Sequence, residues 1–105
     1  LKIKHMKITI EADQFKADVS LTEFIEKKVI KLDHYYDKII DAHVILKLEN
    51  ARQVKDIVAE RILNIPGDTI VSKETNKTFE SAIDEGVDNI KRQLIKRKEK
   101  MRETN

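Results

Sequence analysis

Met6, Ile8, Ile10 and Ala12 alternate with Lys7, Thr9 and Glu11, the period-two pattern of a strand with one buried face. Ser20-Leu21-Thr22-Glu23 then has the Ser-x-x-Glu form of a capping box, in which the Ser oxygen and the Glu carboxylate satisfy orphan amides at a helix start. Leu21, Phe24, Ile25, Val29, Leu32 and Tyr36 recur at helical spacing and predict a first helix from about Leu21 to Tyr36. Ala42, Val44, Leu46 and Leu48 alternate with His43, Ile45, Lys47 and Glu49 as a second strand, and a turn around Asn50 to Gln53 leads to a third, from about Val54 to Ile65. The buried face of this third strand stays open, because Arg61 falls with Ala59, Leu63 and Ile65 while Glu60 falls with Val58 and Ile62. Pro66-Gly67-Asp68 is a turn signal that returns the chain as a fourth strand, Thr69 to Thr75. Thr78 is a fitting N-cap for a second helix that carries Phe79, Ala82, Ile83, Gly86, Val87, Ile90 and Leu94 on one stripe and continues toward Arg102.

The order β-α-β-β-β-α predicts an α+β two-layer sandwich: one four-stranded mixed sheet with both helices on one face. The first helix is expected to be a right-handed crossover joining parallel strands one and two, the other strands pairing by hairpins in the order 1-2-3-4. A helix from Thr78 to Arg102 spans about 37 Å, against about 20 Å for a six-residue strand. Its far end must therefore project past the sheet or lie across it.

Composition narrows the class. A chain of 105 residues fits one domain, and two Gly and one Pro leave little room for long linkers. Cysteine is absent, so no disulfide framework, thiolate metal site or cysteine nucleophile exists. No apolar run approaches the roughly 18 residues that span a bilayer and no signal pattern opens the chain, so the expected location is cytoplasmic, with no membrane partner. The clean strand pattern begins at Met6, which suggests a cloning junction at His5-Met6, with residues 1–5 a vector remnant and 6–105 the domain.

Charge changes the picture more. Between Lys91 and Arg102 seven cations meet one carboxylate, although the whole chain carries only +2, so positive charge is sorted to one end. At 100° per residue Arg92, Lys96 and Lys100 form one row of the second helix, and Lys91, Lys98 and Arg102 form another. The helix dipole accounts for one or two cations in a last turn; seven over three turns exceed that need. Lys27, Lys28 and Lys31 line one edge of the first helix and Glu23, Glu26 and Asp33 the other, so side-by-side helices would join the two basic sets into one patch for a polyanion such as structured RNA. Tyr35-Tyr36 could stack on bases, although a tyrosine pair at a helix end more often forms the edge of a core. Catalytic equipment is missing: His34 and His43 stand apart, and no Ser-His-Asp pattern, phosphate-cradling glycine loop or metal-ligand spacing is present. The reading is therefore of a non-enzyme with no cofactor, no metal and no small-molecule substrate.

Ala82-Ile83-Asp84 followed by Arg92-Gln93-Leu94-x-Lys96-x-Lys98-x-Lys100 is similar to the "AID…RQLxKxKxK" helix of the ribosome hibernation promoting factor family, once called sigma-54 modulation proteins. Lys28-x-x-Lys31-Leu32 ending in Tyr35-Tyr36 resembles that family's "KxxKLE" helix, and Ala59-Glu60 and Pro66-Gly67 resemble its third strand and hairpin turn. The resemblance covers Met6 to about Arg102. It implies a ribosome hibernation factor that binds the small ribosomal subunit and its rRNA near the decoding region and blocks translation in stationary phase or stress by occluding mRNA and tRNA sites. It also implies RNA-binding roles for Lys28, Lys31, Arg92, Lys96, Lys98 and Lys100, to which the charge pattern adds Lys91 and Arg97. Where the family often opens this helix with Asp-Met-Tyr, the chain has Thr78-Phe79-Glu80, so no contact is assigned at Glu80. Long family members carry a further dimerisation domain; this chain resembles the short form. The rival readings are a protein-interaction modulator that acts without the ribosome, and a small enzyme of unassigned type.

Overall fold

The computed structural model describes residues 6–13, 15–51 and 54–103. The suggested vector remnant at 1–5 and the turn residues 52 and 53 lie outside the described residues. The elements are β1 (Lys7–Asp13), α1 (Val19–Ile30) with a following 3-10 turn (Lys31–His34), β2 (Asp41–Ala51), β3 (Val54–Ile65), β4 (Asp68–Asn76) and α2 (Phe79–Glu103). They form one four-stranded sheet in the order β1-β2-β3-β4, with β1 parallel to β2 and the other pairs antiparallel. The expected architecture holds.

Register explains the single covered face. Ile10 pairs with Val44, Val44 with Arg61 and Arg61 with Ser72, so these four residues cross the sheet on one side. On the same side Ala42, Leu46, Ala59, Leu63 and Ile70 are buried, together with Ile25, Val29 and Leu32 from the first helical segment and Ala82, Ile83, Ile90 and Leu94 from α2. One core therefore joins both helices to one sheet face, each fully buried Leu or Ile contributing roughly 1.5–3 kcal/mol of transfer free energy.

Two local expectations are corrected. The cap of α1 is Asp18, whose Oδ1 accepts from the Leu21 amide at 2.8 Å, so the helix starts at Val19 and Ser20 lies inside its first turn. The α-helix also ends at Ile30 instead of reaching Tyr36. The chain tightens into a 3-10 turn that seats Leu32 in the core, and the amides of Tyr35 and Tyr36 both donate to the Leu32 carbonyl. Thr78 caps α2 as expected, its Oγ1 accepting from the Ser81 amide at 3.1 Å. At the hairpin Gly67 takes φ 78°, a left-handed conformation in which a side chain would be strained.

The open face of β3 is now resolved. Ile57, Ala59, Arg61, Leu63 and Ile65 point to the core, which buries Arg61 at 3 % exposure. Its Nη2 donates to the Ala82 carbonyl of α2 and its Nη1 to the Ala59 carbonyl at 3.4 Å. Burial pushes the guanidinium down to about 10, with Glu74 opposing the shift, so Arg61 keeps its charge at neutral pH. Gly86 lies directly over it, and a Cβ at that position would overlap the guanidinium. The residue that weakens helix propensity in α2 is the one that makes room for the buried cation.

Candidate nucleic-acid interface

β1 runs parallel to β2, and both hairpins reverse the chain, so α1 and α2 each follow a strand of the same direction and run alongside one another in parallel. Their side chains meet in steps. Lys28 Nζ of α1 lies 3.2 Å from Asp84 Oδ1 of α2, and one to two turns further on Lys91 Nζ of α2 stands 4.7 Å from the centroid of the Tyr35 ring. Near the start of both helices the rings of Phe15 and Phe79 are 5.2 Å apart. Lys28 on the Lys edge of the first helix thus meets the acidic half of α2, and the basic half of α2 begins further along, beside Tyr35.

α2 overruns the sheet. Among the described residues Leu94 is the last that α2 buries fully, Ile95 is already exposed, and Lys96, Lys98, Glu99 and Lys100 are exposed. Of the two options left by helix length, projection is the one realised. The eight cations singled out by sequence then sort by environment. Lys31, Lys96 and Lys98 are exposed and have no ion-pair partner among the described residues. Lys28 is held by Asp84 and also lies 5.5 Å from the Phe24 ring centroid, Lys91 lies over Tyr35, and Arg92 pairs with Asp88 at 3.5 Å one helical turn away. Arg97 departs from the others: it turns toward the β3–β4 hairpin and pairs with Asp68. Lys100 sits beside it, lining the same region. Arg102 belongs to α2, but its side chain lies outside the described set.

These pairings are weak enough to be exchanged. Exposed ion pairs contribute about 0–1 kcal/mol and an exposed cation over an aromatic ring about 0.5–1 kcal/mol. Lys28 and Arg92 are therefore only weakly held by their carboxylate partners. The Asp68 carboxyl is held below its usual range, chiefly because it accepts from the Thr69 amide, with Arg97 adding to the effect. Sequence reasoning did not find Asp68 as the partner of Arg97, 29 positions away; Asp88 and Arg92 were readable as an i,i+4 pair. Among the described residues no cluster of metal-ligating side chains occurs, and no helix is long and apolar enough to cross a membrane.

The chain matches the model of the family described as sigma 54 modulation protein / S30EA ribosomal protein over residues 8–102. It is 31 % identical over 95 residues to the ribosome hibernation promoting factor of Azotobacter vinelandii, covering 90 % of this chain and 85 % of that one. To the factor of the same name from Escherichia coli strain K12 it is 30 % identical over 98 residues, covering 93 % and 99 %. Among solved structures it is similar to the N-terminal domain of Thermus thermophilus Protein Y, with TM-score 0.77 and 27 % identity over 87 % of this chain and 98 % of that one. A ribosomal subunit interface protein from Coxiella burnetii shares the fold, with TM-score 0.78 and 22 % identity over 89 % of this chain and 98 % of that one. The chain therefore belongs to the sigma 54 modulation protein / S30EA ribosomal protein family.

Proposed function

We propose that this protein is a cytoplasmic ribosome hibernation factor that binds the small ribosomal subunit through its rRNA near the decoding region and blocks translation by occupying mRNA and tRNA sites. The observation that carries the reading is the run of largely exposed cations on the C-terminal half of α2, which begins with Lys91 over Tyr35 at the end of the first helical segment, together with relatives named as ribosome hibernation promoting factors over nearly the same length. Lys28, Lys31, Lys91, Arg92, Lys96, Lys98 and Lys100 are the phosphate-binding set, and Arg97 reaches RNA from the hairpin side. Phosphate contacts supply affinity and position, while fit to a folded RNA channel supplies selectivity.

The mechanism is occupancy. No step of it needs a nucleotide, a metal or a group that changes covalent state, so inhibition follows the number of molecules and not their time of action. In a reconstituted translation system the purified protein should stop synthesis when added at about one molecule per ribosome, with no cofactor present. Inactivation of many ribosomes by each molecule would instead mark it as an enzyme, and inhibition that needs a further protein partner would favour the modulator reading.

A further inference from the structure

A cleft of about 510 Å³ opens where the end of the first helical segment, the β3–β4 turn and the overhang of α2 meet. Its volume falls within the roughly 300–1,000 Å³ of ordinary small-ligand sites. The lining combines three chemistries. Tyr36 offers an aromatic ring, Ile65 and Pro66 an apolar wall, and Lys38, Arg97 and Lys100 a cationic rim. Asp68 is the acidic member, and its charge is already engaged by the Arg97 guanidinium and the Thr69 amide.

We propose that this cleft accepts one unstacked nucleotide of the bound RNA, its base against Tyr36 and the Ile65-Pro66 wall and its phosphate at the Lys38 and Lys100 rim. An aromatic ring beside an apolar wall suits a planar base, and the cations suit the anion that a nucleotide carries at one end of that base. A bare phosphate would leave the aromatic and apolar lining unused, and an apolar ligand would leave the rim unused. Arg97 keeps Asp68 from repelling the phosphate. This assignment rests on the RNA-binding reading above and adds to it a base-contacting residue, Tyr36, on a surface otherwise built from charge.

The test separates the two ideas by using a mononucleotide without ribosomes. The isotope-labelled protein is titrated with adenosine 5′-monophosphate and, in parallel, with ribose 5-phosphate, which has the phosphate but no base, while backbone amide resonances are followed. The nucleotide should shift Tyr36, Lys38, Gly67 and Asp68 saturably, and the base-free sugar should bind roughly 5- to 100-fold more weakly, as loss of one stacked base implies. Tyr36→Leu should remove the difference between the two ligands. Because Tyr36 also packs against the core, the exposed Lys38→Glu provides a second variant, expected to weaken both ligands without disturbing the fold. Equal affinity for the two ligands, or nucleotide shifts confined to residues away from the cleft, would overturn the proposal. Small-subunit binding by a protein whose cleft ignores the nucleotide refutes the cleft alone; nucleotide binding without subunit binding refutes the ribosomal reading and leaves the cleft standing.

Discussion

Gly86→Ala should destabilise the protein by about 2–4 kcal/mol, although Ala is favoured over Gly by about 1 kcal/mol in a helix interior. The new methyl would occupy the position of the Arg61 guanidinium. Moving the buried Arg61 guanidinium aside gives up its bonds to the Ala82 and Ala59 carbonyls. Overpacking of this kind costs about 1–3 kcal/mol, and stranding a buried charge about 3–5 kcal/mol. The diagnostic comparison is a double-mutant cycle by urea unfolding at constant m. In an Arg61→Ala background Gly86→Ala should become neutral or stabilising by up to about 1 kcal/mol, because only helix propensity remains. An equal cost in both backgrounds would show that Gly86 is required for another reason.

The second large effect concerns binding. Changing Lys28, Lys31, Arg92 and Lys96 together to Gln should flatten the dependence of small-subunit affinity on salt. With a slope of about −0.7 to −0.9 per phosphate contact, four contacts account for roughly three units of slope. Raising salt from 50 to 200 mM should therefore weaken the parent roughly 50- to 150-fold more than the variant. Stability should hold to within about 1–2 kcal/mol, since none of the four is a core residue, Arg92 gives up only an exposed ion pair, and Lys28 gives up an ion pair and a contact with the Phe24 ring. Changing Glu23 and Glu26, both exposed on the other edge of α1, should leave the slope as it was.

The elements read most directly from sequence are those whose signal is local. β3 was readable at both ends, and the alternation of β2 and the capped stripe of α2 needed no tertiary information. The start of α1 was misplaced because Asp18 and Ser20 both precede the apolar stripe with a suitable acceptor, and only the folded loop shows which one reaches an amide. Its early end has a tertiary cause: the 3-10 turn carries Leu32 into the core, which helical periodicity does not encode. Arg61 was ambiguous for the same reason, since the carbonyl that permits its burial lies 21 residues away on α2. For the candidate interface, the cations were visible as a charge run, whereas the seating of Lys28 on Asp84 of the other helix depends on the register of the two helices and was not. The engagement of Arg97 by Asp68 and the cleft around Tyr36 were not visible, because both depend on where the hairpin turn meets the overhang of α2.

The central claim is tested most directly by sedimenting the protein with purified small ribosomal subunits in the presence of increasing transfer RNA. The account predicts saturable binding of one molecule per subunit at low salt, with transfer RNA and the protein displacing one another. Full and simultaneous binding of both, or no binding by the protein at any salt concentration, would contradict it.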